Sequence, residues 1–171
     1  MQHNNIARNN LINNAISMGV SPSRIIFASR TAKSSHILRH RAGDLFLDTF
    51  VYGAHSTATD ALRGGLPVLT LKGPDFPSRV AASLYASFDS KKQQMPLSEI
   101  LVTSSVKAFE DSAVEILNNK EFMNKIKMKI NSLIMNNIGL FNTRLHVDKF
   151  LHGLQALEEI KHDKKKHIII L

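Results

Sequence analysis

The sequence predicts an α/β fold: a Rossmann-like parallel sheet with helices on both faces. Three observations predict it. Apolar runs too short for helices alternate with stretches of helical periodicity. Those runs, within residues 24–28, 44–48 and 67–71, lack strict apolar–polar alternation, as strands buried on both sides do. Finally, Asp48 to Thr70 reads as strand end, Gly-containing loop, helix and strand, a β-loop-α-β unit. At 171 residues the chain is long enough for one domain with a real core.

The elements follow in order. Ile6, Leu11, Ala15 and Ile16 lie near helical spacing, and Gly19 is a stop, which predicts a helix over 5–19. Ser21-Pro22-Ser23 is a turn, and Arg24-Ile25-Ile26-Phe27-Ala28 is expected as a buried strand. Residues 33–41 are amphipathic and helical. Asp44-Leu45-Phe46-Leu47-Asp48 is the next strand. After the loop and a helix that stops at Gly64-Gly65, Pro67 to Leu71 forms another. Pro77 and Ser78 open a helix through about Ser87. Ser98 to Thr103 is expected as a fourth strand, and helices follow over 105–118, 120–137 and 143–161. The end joins a basic run to Ile168-Ile169-Ile170-Leu171 and is expected as a tail, which divides the chain into 1–160 and 161–171.

Composition narrows the class. The formal net charge is +8, so nucleic acid, an anionic membrane or an anionic small ligand could be the partner. Much of the excess lies late, at Lys120, Lys125, Lys127, Lys129, Lys161, Lys164, Lys165 and Lys166. That pattern reads as a solvated helix face and tail. Aromatic residues are 6% and no arginine-rich arm exists, which argues against nucleic acid. No apolar run reaches the roughly 20 residues of a membrane span. The N-terminus lacks a signal-peptide pattern, and cysteine is absent, which fits a reducing cytoplasm.

Ligands of parallel sheets bind beyond the carboxyl ends of the strands. The loops after Phe27, Asp48 and Leu71 fall at that edge. Three groups meet there. Lys33, His36 and Arg39, at spacings of three and six, share one helix side; they form either a basic binding face or a solvent-exposed one. His55, Ser56 and Thr57 stand at a helix entry, where unpaired N–H groups and the positive dipole end suit a phosphate. Plain N-capping by Ser56 or Thr57 is the competing reading, because a cap uses the same N–H groups. Asp60, one turn further, either complements the dipole or accepts hydrogen bonds from a ribose. The eight histidines include no H-x-x-x-H helix motif with an acidic partner, and His36, His40 and Arg41 do not make a metal triad. Ser56 lacks a nucleophile-elbow setting, no Walker A or G-x-G-x-x-G pattern is present, and Asp48 and Asp75 are too isolated for a carboxylate pair.

These residues, in order, resemble the protein O-GlcNAc transferases. The resemblance runs through Arg24-Ile25-Ile26-Phe27, Lys33-x-x-His36-x-x-Arg39, Asp44-x-x-Leu47-Asp48-Thr49 and Gly53-x-His55-Ser56-Thr57-x-x-Asp60-x-Leu62. It continues through Gly65-x-Pro67-Val68-Leu69-Thr70, Ser78-Arg79-Val80-Ala81-Ala82-Ser83-Leu84 and Gly139-Leu140-Phe141-Asn142-Thr143. It implies the C-terminal lobe of a GT-B glycosyltransferase, lacking its first strand, with residues 1–160 a partial UDP-sugar-binding lobe. It implies that Lys33 and Asp60 contact the ribose, His36 and Arg39 frame the uracil, and His55, Ser56 and Thr57 hold the diphosphate. The implied reaction is inverting transfer of N-acetylglucosamine from UDP-GlcNAc to Ser or Thr of a protein, without metal or cofactor. The expected catalytic base lies outside this chain. Implied partners are the UDP-sugar, a protein acceptor and the missing N-terminal lobe. The expectation is a fragment inactive alone; the alternative is a non-catalytic nucleotide-binding or regulatory domain.

Overall fold

The structure, a computed structural model, describes residues 5–89 and 95–161. The expected tail therefore lies, from residue 162 on, outside the described residues. The chain divides into two compact units, Met1–Lys33 and Ser34–Leu171.

The first unit holds α1 (Asn5–Ser17) and a 3₁₀ turn at Pro22–Arg24. Gly19 ends the α1 region with φ 78°, a conformation that glycine takes without a Cβ clash. The Arg8 guanidinium sits 4.6 Å over the Phe27 ring. The strand expected at 24–28 does not form. Ile25 is extended (φ −101°, ψ 114°), but its N–H turns back to the Pro22 carbonyl, and Ile26 is 88% exposed. Local preference is met there, yet a strand exists only by pairing, and the described strands pair elsewhere.

The second unit carries the sheet. In chain order it comprises β1 (Phe46–Leu47), α3 (Ser56–Arg63), β2 (Val68–Leu71), α4 (Val80–Phe88), α5 (Leu97–Leu101), β3 (Val102–Thr103), α6 (Val106–Asn118), α7 (Lys120–Met135) and α8 (Thr143–Lys161). Helix α2 (Lys33–His40) runs from the last residue of the first unit into this one. The strands order β1-β2-β3, all parallel, with Phe46 opposite Val68 and Thr70 opposite Val102. Val68, Leu69 and Thr70 are all buried, and successive side chains leave opposite faces, so both faces of β2 are covered.

Helical spacing sets what packs against the sheet. Ala58, Ala61 and Leu62 of α3, and Met123, Ile126, Ile130 and Leu133 of α7, are the buried apolar positions of their helices, mostly at steps of three and four. Ser105 caps α6 by accepting Ala108 N–H, and Asn119 caps α7 by accepting Phe122 N–H. The expected strand at 98–103 is instead α5 followed by a two-residue strand. The Asp89 carboxylate accepts the Leu97 and Ser98 N–H groups, each at 2.9 Å, which caps a helix start there. Leu97 and Leu101, four apart, then bury on one side.

Tyr85 of α4 completes the sheet. Pro67 and Leu69 carbonyls accept from β1, so the N–H and C=O of Val68 point toward the β3 side. Pairing with β3 begins only at Thr70. The Tyr85 hydroxyl fills the gap, accepting Val68 N–H and donating to Val68 C=O, both at 2.8 Å.

Candidate nucleotide site at the carboxyl edge of the sheet

The site starts at the end of β1. Asp48 is buried and organises the loop that follows. Its Oδ1 accepts Thr49 N–H at 2.9 Å and Ala54 N–H at 2.6 Å, and its Oδ2 accepts the Thr70 hydroxyl of β2 at 2.7 Å. The loop is thus closed on itself and fastened to the neighbouring strand. Asp48 is no half of a carboxylate pair, as its spacing already implied; its work is to place the loop.

A second tie joins this loop to the one after β2. The Pro77 carbonyl accepts Gly53 N–H at 2.9 Å and the His55 ring Nε2–H at 3.2 Å. A Cβ on Gly53 would stand 3.0 Å from Asp48 Oδ2 and 3.3 Å from Pro77 O, so glycine lets the two loops close up. Ser78 is held in turn: its hydroxyl donates to Asp75 C=O at 2.9 Å.

Helix α3 then begins. His55 occupies the N-cap position, and its side chain makes no capping hydrogen bond. The capping reading for Ser56 and Thr57 is therefore not what the structure shows. Both are the first helical residues and both are exposed. The Tyr52 ring stacks on the His55 imidazole at 4.9 Å and 18°, and the Phe76 ring meets it edge-on at 5.8 Å and 81°.

Asp60 lies one turn on and is buried, with its carboxylate 3.8 Å from His36 Nε2 of α2. His36 and His40 also face each other, Nε2 to Nε2, at 3.4 Å. The two helices approach closely because of Gly64, where a Cβ would meet Ile37 O at 2.8 Å and His40 Cβ at 2.9 Å. So His36-x-x-x-His40 does acquire an acidic neighbour in space. No cluster of three or more metal-ligating side chains forms among the described residues.

The structure thus gathers His55, Ser56, Thr57 and Asp60 on α3 and sets His36 beside Asp60. Lys33 is the first residue of α2, exposed. Arg39 is in the last turn of that eight-residue helix and is half-buried. Sequence reasoning passed over Tyr52, Phe76 and the Pro77 carbonyl. Tyr52, directly before Gly53-x-His55-Ser56-Thr57, was the one signal near in sequence; Phe76 and Pro77 lie beyond β2.

Comparison with known proteins then adds the following. The family model described as Glycosyl transferase family 41 matches residues 2–150. An Arabidopsis thaliana protein described as a probable UDP-N-acetylglucosamine–peptide N-acetylglucosaminyltransferase is 35% identical over 106 residues, covering 62% of this chain and 10% of its own length. A Caenorhabditis elegans UDP-N-acetylglucosamine–peptide N-acetylglucosaminyltransferase is 40% identical over 72 residues, covering 42% of this chain and 6% of its own. The chain therefore spans about a tenth or less of these curated relatives. A solved structure of a mutant O-GlcNAc transferase from Thermobaculum terrenum superposes with a TM-score of 0.68 at 23% identity, over 84% of this chain and 27% of that one. That likeness establishes the expected α/β fold. Among the described residues no helix is long and apolar enough to cross a membrane.

Proposed function

Because the chain belongs to glycosyl transferase family 41, we propose that it is the UDP-holding part of a protein O-GlcNAc transferase. The observation that carries this reading is the start of α3. His55, Ser56 and Thr57 stand at a helix N-terminus that no side chain caps among the described residues, beside the carboxyl ends of β1 and β2. Free N–H groups and the dipole favour a diphosphate there. The charge that grows on a departing UDP would be met by donors already in place, which is how such a site lowers a barrier without a metal.

In this reading His55, Ser56 and Thr57 hold the diphosphate. Asp60 accepts from the ribose, and His36 and Arg39 frame the uracil. Lys33 is assigned to the ribose by family resemblance alone. The donor is UDP-GlcNAc, no cofactor is needed, and the acceptor is a Ser or Thr hydroxyl of a protein in the cytoplasm. Residues 1–160 are then a partial UDP-sugar-binding lobe that works with an N-terminal lobe. These 171 residues by themselves are expected to turn over no peptide, because the family resemblance assigns the catalytic base to none of them.

Calorimetric titration with UDP tests the reading. His55→Ala should weaken UDP by about 10- to 150-fold, the equivalent of one charge-assisted hydrogen bond of roughly 1.5–3 kcal/mol. Failure of the chain to bind UDP at millimolar concentration would refute it, as would unchanged affinity in both His55→Ala and His36→Ala.

A further inference from the structure

The hydrogen bond from His55 to Pro77 has a consequence for how a diphosphate is held. A carbonyl oxygen only accepts, so at 3.2 Å from Pro77 O the ring Nε2 must carry a proton. In the neutral ring the proton is then spent, and Nδ1 offers a lone pair. Nδ1 has no hydrogen-bond partner among the described residues. A diphosphate is acceptor-only as well, so a neutral His55 in this orientation meets it lone pair against lone pair.

The ring is not free to turn and exchange its nitrogens at no cost. Tyr52 lies flat on one face, nearly parallel at 18°, and Phe76 stands edge-on at 81°. A 180° flip keeps the ring in the same plane but carries Nε2 away from Pro77 and gives up that bond. Moving the single proton to Nδ1 would set the Nε2 lone pair against the Pro77 oxygen, so making Nδ1 a donor while keeping that bond means protonating the ring. The ring would then give one hydrogen to Pro77 and one to the ligand.

We propose that Tyr52, Phe76 and the Pro77 carbonyl are positioning groups that hold His55 so that it engages the diphosphate only as an imidazolium, with one proton taken from solvent as the nucleotide binds. The proposal rests on the nucleotide reading above and deepens it. The ionisable groups on the elements around the ring are Asp48 at the end of β1, the Tyr52 phenol, Asp60 and Arg63 on α3, Lys72 after β2, and Asp75 and Arg79 flanking the turn that bears Pro77. His55 forms no ion pair with any of them among the described residues. A bound anion would therefore be the new charge that draws the proton on. The sign follows: the contact is present at low pH and is lost as pH rises and the imidazolium gives up its proton.

The test is UDP titration by calorimetry at about pH 8, where an unperturbed imidazole is neutral. Runs in buffers of different ionisation enthalpy give the number of protons taken up. The expected result for the native chain is close to one proton per UDP, with affinity falling toward tenfold per pH unit above that range, the limit for one linked proton. His55→Asn supplies a neutral N–H donor near Nδ1, so it should bind with no uptake and a flat pH profile. Tyr52→Phe keeps the stack and should keep the uptake. Tyr52→Ala frees the ring to present its Nε2–H and should lower it. UDP binding with no proton uptake by the native chain overturns the proposal and leaves the nucleotide reading standing. No UDP binding overturns the reading and the proposal together.

Discussion

Changing Tyr85 to Phe removes one oxygen atom and keeps the ring. That oxygen bridges the N–H and C=O of Val68, both at 2.8 Å, and Tyr85 and Val68 are fully buried. The gap exists because β3 starts its pairing at Thr70. No strand can take over the two bonds, so the variant buries an unpaired donor and an unpaired acceptor. Each such group costs about 1–3 kcal/mol, and the phenylalanine recovers part by not desolvating a hydroxyl. A net loss of about 3 kcal/mol is expected, or about 6–12 °C in Tm for a chain of this size. Urea unfolding followed by far-UV circular dichroism measures it, with an unchanged slope showing that the unfolding reaction is the same. Alkaline pH supplies a second reading on the same residue. Burial pushes the Tyr85 phenol far above its ordinary range. The folded chain thus keeps a proton that the unfolded chain releases above about pH 10. Stability is fully present below that pH and declines as pH rises past it, and Tyr85→Phe removes this component of the decline. A loss under about 0.5 kcal/mol would refute the account of Tyr85 as a partner for the sheet.

Two further substitutions probe the supports of the site. Asp48→Ala strands the Thr49 and Ala54 N–H groups and the Thr70 hydroxyl; a loss of about 2–4 kcal/mol in urea unfolding is expected, with UDP affinity falling as the loop opens. Asp89→Ala removes the carboxylate that accepts two N–H groups at the start of α5, and should cost about 1–2 kcal/mol by thermal unfolding; a neutral result would show that α5 needs no cap.

The parts of the fold legible in the sequence were those set by local rules. The helices expected over 105–118, 120–137 and 143–161 form as Val106–Asn118, Lys120–Met135 and Thr143–Lys161, each within two residues. What the sequence could not show was pairing. Ile25-Ile26-Phe27 has strand chemistry, but whether it finds a neighbour is a long-range matter, and here it forms no ladder. Leu97 to Leu101 has apolar residues that suit either period, and Asp89, eight residues before Leu97, decided for a helix by capping it. The site followed the same division. His55, Ser56, Thr57 and Asp60 are neighbours on one loop and helix, so their spacing placed them together. Pro77 reached His55 through the tertiary fold, by a backbone atom that no residue type advertises.

The closed loop after β1 also separates placement from variation. Asp48 grips both Thr49 and Ala54, and Gly53 is fastened to Pro77. Phe50, Val51 and Tyr52 form an exposed tip in which the Phe50 ring meets Phe109 edge-on at 5.1 Å and the Tyr52 ring stacks on His55. Val51, 84% exposed at φ 68°, makes neither contact and is the variable position of that tip, where glycine or asparagine suits the backbone. A library randomised at Val51 would vary the rim of the site while Tyr52 and the start of α3 stay where the anchors put them.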